Sequence, residues 1–219
     1  MIALAKKEPS AVLFAGQVLG ILLYPLMEED GVGQALFSIF GIAILGLVVL
    51  AVRSTRGLMP VALTLGIPAS ILLLIQAISG GNDDLLPYSS ALEALLYFYA
   101  AGALIAYMLA DHDVTRDELW AVGATFTLVA WGFAYVFQVC QAVEPGTFTA
   151  AIDPEAQRTW MELLFLSFTT LSSTGLSDVV PLEGFGRSLV MIEQMVGLAF
   201  VAMVVSRLVA LTVLRRRET

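Results

Sequence analysis

The stretch TTLSSTGLSD, Thr169 to Asp178, separates a short apolar segment from the last long apolar run of the chain. It crowds hydroxyls at Thr169, Thr170, Ser172, Ser173 and Thr174, then adds a glycine and an acid. It is too polar to cross a bilayer, and its flanks are too apolar for an ordinary surface loop. The segment before it, Trp160 to Leu171, has helical character over about twelve residues, well short of the ~20 that a membrane span needs. A short helix followed by extended chain at membrane depth is a re-entrant loop. Such backbone is tolerated in a bilayer only where protein buries it or where it lines a water-filled cavity.

The rest of the chain supports a membrane setting. Of its 219 residues 58% are hydrophobic and 14% charged, whereas soluble domains carry about 25% charged residues. Apolar runs fall at roughly 10–27, 34–52, 58–78, 88–110, 118–142 and 185–213, which predicts six spans and an all-α integral membrane protein. Lys6 and Lys7 precede the first run, but no small-x-small cleavage site follows it, so a retained helix is expected rather than a signal peptide. Lys6, Lys7, Arg53, Arg56, Arg116 and Arg215 to Arg217 fall on one side of a six-span count. That side is cytoplasmic by the positive-inside rule, with both termini there. Glu28, Glu29, Asp30, Asp83, Asp84, Glu144, Asp153 and Glu155 face the other side, Arg158 and Arg187 being exceptions.

The stretch Phe168 to Pro181 resembles the pore signature of tetrameric potassium channels, T-x-T-T-V-G-Y-G-D with a proline shortly after. Ser172 and Ser173 align with its last two threonines, Thr174 with the valine and Gly175 with the first glycine. Leu176 replaces the tyrosine, Ser177 the second glycine, and Asp178 keeps the aspartate. Gly186-Arg187 then opens the inner helix as in simple bacterial members, and Gly197 falls on the gating-hinge glycine; the resemblance covers about residues 118–214. It implies a pore domain over 114–219, a homotetramer among membrane lipids, and a cell-membrane location, the inner membrane if the source is bacterial; the span count leaves a four-helix membrane domain over 1–113 before it. It also implies permeant monovalent cations, potassium above all, held by Ser173, Thr174, Gly175 and Leu176. Ser177 and Asp178 would form the outer end of the filter. Thr169, Thr170, Ser172 and Glu193 would support it, and Gly197, Val205, Val209 and Val213 would supply hinge and gate. Leu198 and Val201 would line the cavity with Val205. No cofactor is expected beyond the permeant ion.

The outer filter departs from that pattern. A left-handed Ser177 would cost about 1–2 kcal/mol; otherwise its backbone relaxes and the outermost carbonyl ring changes. Leu176 has no hydroxyl, and the short helix offers it only Phe165 and Leu166. A weakly selective or sodium-permeable pore, or a non-conducting homologue, is the alternative.

The fourth span, Tyr88 to Ala110, contains no lysine or arginine, so steep voltage dependence is not expected. Its Glu93 is expected at an interface or helix end, Glu162 at the positive end of the short helix, and Glu193 against the hydroxyl of Ser167 or Thr170. Arg207 is expected to snorkel to the inner interface. Two residues follow Arg217, so no C-terminal ligand-binding domain is expected.

Other classes fare worse. A net charge of −8 argues against nucleic acid. Cys140 is alone, so no intramolecular disulfide is available. Gly175 to Asp178 faintly resembles the G-x-G-D of intramembrane aspartyl proteases, but no span offers a second aspartate. The only histidine, His112, has no H-E-x-x-H setting, so no enzyme is expected. No inverted repeat suggests a secondary transporter.

Overall fold

The computed structural model describes residues 8–27, 40–48, 59–78, 85–110 and 115–217. Lys6, Lys7, Glu28, Glu29, Asp30, Arg53, Arg56, Asp83, Asp84 and His112 lie outside the described residues. Among those described, the helices are α1 (Pro9–Met27), α2 (40–48), α3 (Met59–Ile78), α4 (Leu86–Met108), α5 (Arg116–Val143), α6 (Trp160–Leu171) and α7 (Gly184–Arg217). Two short strands, β1 (Phe148–Thr149) and β2 (Val180–Pro181), pair antiparallel.

Among the described residues, four helical stretches are long and apolar enough to cross a membrane: Met59–Gln76, Leu86–Met108, Arg116–Val143 and Gly184–Arg207. The first predicted span forms the shorter α1, and only 40–48 of the second is described. The 113/114 boundary falls among undescribed residues, and the helices on either side share one hydrophobic core.

Helix α5 organises the packing. It starts where Thr115 accepts the backbone N–H of Glu118, an N-cap that satisfies one of the first-turn donors. Helix α4 runs antiparallel to it: Ser90 donates to Gln138 at one end, Phe98 packs edge-on against Phe133 midway, and Met108 and Glu118 share a crevice at the other. Small residues on both helices, Ala94, Ala100 and Ala101 on one and Ala130 and Ala134 on the other, allow the close approach. Helix α1 runs parallel to α5, with Ser10 bonded to Asp117 at the start and Gly20 facing Trp131 further on.

Helix α6 begins beside the far end of α5. Gln141 and the backbone of Arg158 exchange two hydrogen bonds, of 2.8 and 3.1 Å. A capping box between Thr159 and Glu162 opens the helix. Trp160 packs on Trp131, Tyr135 and Tyr24. From there α6 runs back along α5, so that Phe168 meets Phe126 and Leu171 meets Gly197 of α7. Its 12 residues make it about 18 Å long, roughly half of a ~30 Å hydrocarbon core. The chain then returns to the starting end, where β2 pairs with β1 and Leu182 donates to the Thr147 carbonyl at 2.8 Å.

Candidate functional site

The return loop begins with a defined helix stop. Ser173 donates to the Thr170 carbonyl and Thr174 to the Thr169 carbonyl, each at 3.0 Å. This is the bond pair of a Schellman motif, with Ser173 as its left-handed residue at φ 60°. Gly175 adds a third backbone bond to the Thr169 carbonyl and is itself left-handed at φ 66°. Ser172 caps locally, bonding Phe168 O and sharing a hydroxyl contact with Thr174. These residues explain the crowd of hydroxyls: they close the helix C-terminus and fix the start of the loop.

Among the described residues, none donates to the carbonyls of Ser173, Thr174, Gly175 or Leu176. The segment is exposed, Leu176 by 78%. Phe165 is also exposed, at 48%, whereas Leu166 is buried. Ser177 takes the relaxed alternative: it is not left-handed, and its hydroxyl accepts the Val179 N–H at 3.1 Å. The strain expected at Ser177 sits instead at Ser173, because the helix stop needs a left-handed residue there. Asp178 and Glu183 are exposed beyond the loop.

The support behind the loop comes from three helices. Ser167 Oγ lies 2.7 Å from the Ala130 carbonyl of α5 and also contacts Glu193 Oε1 of α7. Of the two hydroxyls named from the sequence as partners of Glu193, Ser167 is the one engaged. Ser167 and Glu193 are both fully buried, and Glu193 Oε2 has no partner among the described residues. Thr170 is buried, while Thr169 turns its hydroxyl to Leu166 of its own helix. Replacing Ser167 with alanine would strip the Glu193 carboxyl of this contact at a cost of about 1–3 kcal/mol. Ser167→Ala is therefore expected to lower the thermal midpoint in detergent by several degrees, whereas Glu193→Gln retains a partner and conductance. An unchanged midpoint in Ser167→Ala would show that the carboxyl needs no such contact.

Several placements differ from expectation. Glu93 packs inward rather than standing at a helix end: it is 2% exposed, held between α4 and α5 with the Tyr135 hydroxyl bonded to it, while its Oε1 finds no partner among the described residues. The stacked rings of Tyr97 and Tyr135 lie on the same face. Arg207, expected at the inner interface, pairs with Glu118 at 2.8 Å. Glu162 does serve the start of α6, and it also pairs with Arg158, a buried guanidinium that gathers the carbonyls of Ile152, Asp153 and Ala156. That web accounts for a basic residue on the acidic side.

At Gly197 a Cβ would lie 2.0 Å from the Leu171 carbonyl oxygen, a close approach that by itself requires glycine. Leu198, Val201, Val205 and Val209 are at least half exposed along one side of α7. The side chain of Val213 lies outside the described residues. Sequence reasoning passed over Ser10, Asp117 and Glu118. The two acids read as ordinary first-turn residues of a helix, and their partners are 107 and 89 positions away.

An ion-channel family model matches residues 123–213, from early α5 into the last turns of α7. No curated protein and no solved structure matches the chain. The matched segment contains α6, the loop after it and the Gly197 contact. Together with four helices apolar enough to span a bilayer, it supports an ion-channel activity in a membrane protein.

Proposed function

We propose that the protein is a passive cation channel, most simply a potassium-conducting homotetramer, with α6 as a re-entrant pore helix and Ser173 to Leu176 as the filter. One observation carries this reading. A half-length helix ends in a run of carbonyls that accept no hydrogen bond among the described residues. In a membrane such a run is tolerated when it lines water or replaces an ion's hydration shell. One loop cannot surround an ion, and closed rings of identical subunits are the usual solution. The carbonyl end of α6 faces the same region and adds partial negative charge that favours a cation.

The rest follows from that placement. Asp178 and Glu183 raise cation concentration at the mouth. Val205 and Val209, exposed on one side of α7, would form an apolar constriction able to gate by dewetting. The end of the bundle holding Ser10, Asp117 and Arg207 is cytoplasmic, as are both termini. Helix α4 has no basic residue to carry gating charge, so open probability is voltage-insensitive. The relaxed Ser177 favours one second reading, a weakly selective pore, because the outermost carbonyl ring then departs from the regular filter.

Purified protein in planar bilayers, with potassium on one side and sodium on the other, tests this directly. The expected result is a current reversing near the potassium equilibrium potential, with open probability flat against voltage. Reversal near zero would leave the weakly selective pore, and absence of any current would end the channel reading.

A further inference from the structure

The cytoplasmic end of the bundle carries a contact set that conduction itself does not require. Asp117 and Glu118 are adjacent in the first turn of α5, so their side chains point about 100° apart around the helix. Asp117 turns to α1, accepting the backbone N–H of Ser10 at 3.0 Å and its hydroxyl at 2.9 Å. Glu118 turns to α7 and pairs with Arg207 at 2.8 Å. All four partners are largely removed from solvent: Ser10 is 1% exposed, Asp117 7% and Glu118 4%, and the Arg207 side chain 16%. Acids in a first helical turn are ordinarily explained by the helix dipole. The dipole does not account for buried partners on helices 107 and 89 residues away.

The setting strengthens the pair. Met108 and Leu109 at the end of α4, Leu119 and Val122 of α5, and Met203 and Val204 of α7 form an apolar crevice around it. Charges in such surroundings interact more strongly than in water. Arg207 is also the only basic residue of α7 between Arg187 and Arg215. It sits two residues after Val205 and two before Val209, the positions assigned above to the constriction.

We propose that Asp117 and Glu118 form a two-sided clamp tying α7 and α1 to the start of α5, and that release of Glu118 from Arg207 frees the constriction. The clamp gives the N-terminal helices a mechanical route to the pore: displacement of α1 pulls on Asp117, and the adjacent Glu118 moves with it. This inference rests on the channel reading for its link to gating, but not for the linkage itself.

The test uses the full chain with Cys140→Ser and a reporter Val209→Cys, read by its rate of modification with a water-soluble thiol reagent and, separately, by open probability in bilayers. Glu118→Gln and Arg207→Gln are each expected to raise the modification rate and the open probability several-fold. The exchange Glu118→Arg with Arg207→Glu is expected to return both toward the starting values. Ser10→Ala is expected to shift both in the same direction by a smaller factor. Unchanged modification rates in the single variants would overturn the proposal, as would an exchange variant no closer to the parent than either single change. A compensated change in modification rate without any current in the parent protein would leave the clamp standing and remove the channel reading instead. Should Glu118→Gln fail to fold, the Arg207→Gln and Ser10→Ala variants decide the matter.

Discussion

Gly197→Ala is expected to abolish assembly or to reduce conduction more than tenfold. A Cβ at this position would meet the Leu171 carbonyl oxygen at 2.0 Å and the carbonyl carbon at 2.8 Å. Carbon and carbonyl oxygen approach only to about 3.3 Å even in weak C–H hydrogen bonds, so the helices must part by more than an ångström. The obstacle is backbone, which has no rotamer to retreat into. Overpacking of this kind costs about 1–3 kcal/mol per site. Leu171 is also the last residue of α6, and its displacement carries the Schellman stop and the loop with it. Size-exclusion chromatography beside bilayer recording checks the result. A pure hinge role would leave assembly intact and change open probability alone, and unchanged assembly with unchanged current would show that α7 can slide aside freely.

Gly175→Ala is expected to do the reverse: assembly survives and the permeation property fails. The residue is left-handed at φ 66°, and a Cβ there meets nothing within 4 Å. The cost is therefore conformational, about 1–2 kcal/mol per subunit, enough to depopulate the loop conformation about 5- to 30-fold. Relaxation rotates the peptide units whose carbonyls line the proposed filter. Conductance is expected to fall at least tenfold, or the reversal potential to move toward zero, with elution unchanged. Currents identical to the parent protein would show that Gly175 does not shape the ion path. The two glycines thus separate a packing contact from a backbone conformation.

Much of the site was legible in the sequence because its signals are local. The twelve residues from Trp160 are too few to span, and Glu162 reads as an acid at the start of that helix, where the structure joins it to Thr159 in a capping box. The hydroxyl run after Phe168 ends a helix, since such side chains compete for backbone partners. Ser173 was harder to read. A left-handed position favours glycine or asparagine, and the nearby Gly175 and Ser177 drew the expectation of strain further along the loop. Glu93 was misplaced because distance from a helix end says nothing about which neighbour faces it. Tyr135, which bonds it, lies on the next helix, and only the antiparallel register of α4 against α5 brings the two together.

Local features of the chain mark its apolar runs, the short interrupted segment between the last two, the absence of basic residues from α4 and the resemblance of its loop to a pore signature. Hydropathy, charge and turn chemistry are properties of neighbouring residues, so they survive without coordinates. The tertiary structure decided that Gly197 closes on Leu171, that Ser167 joins Ala130 to Glu193, and that Glu118 holds Arg207. Each of these depends on the rotation and register of one helix against another. Those are set by side-chain packing across the whole core, which no single stretch of the chain specifies.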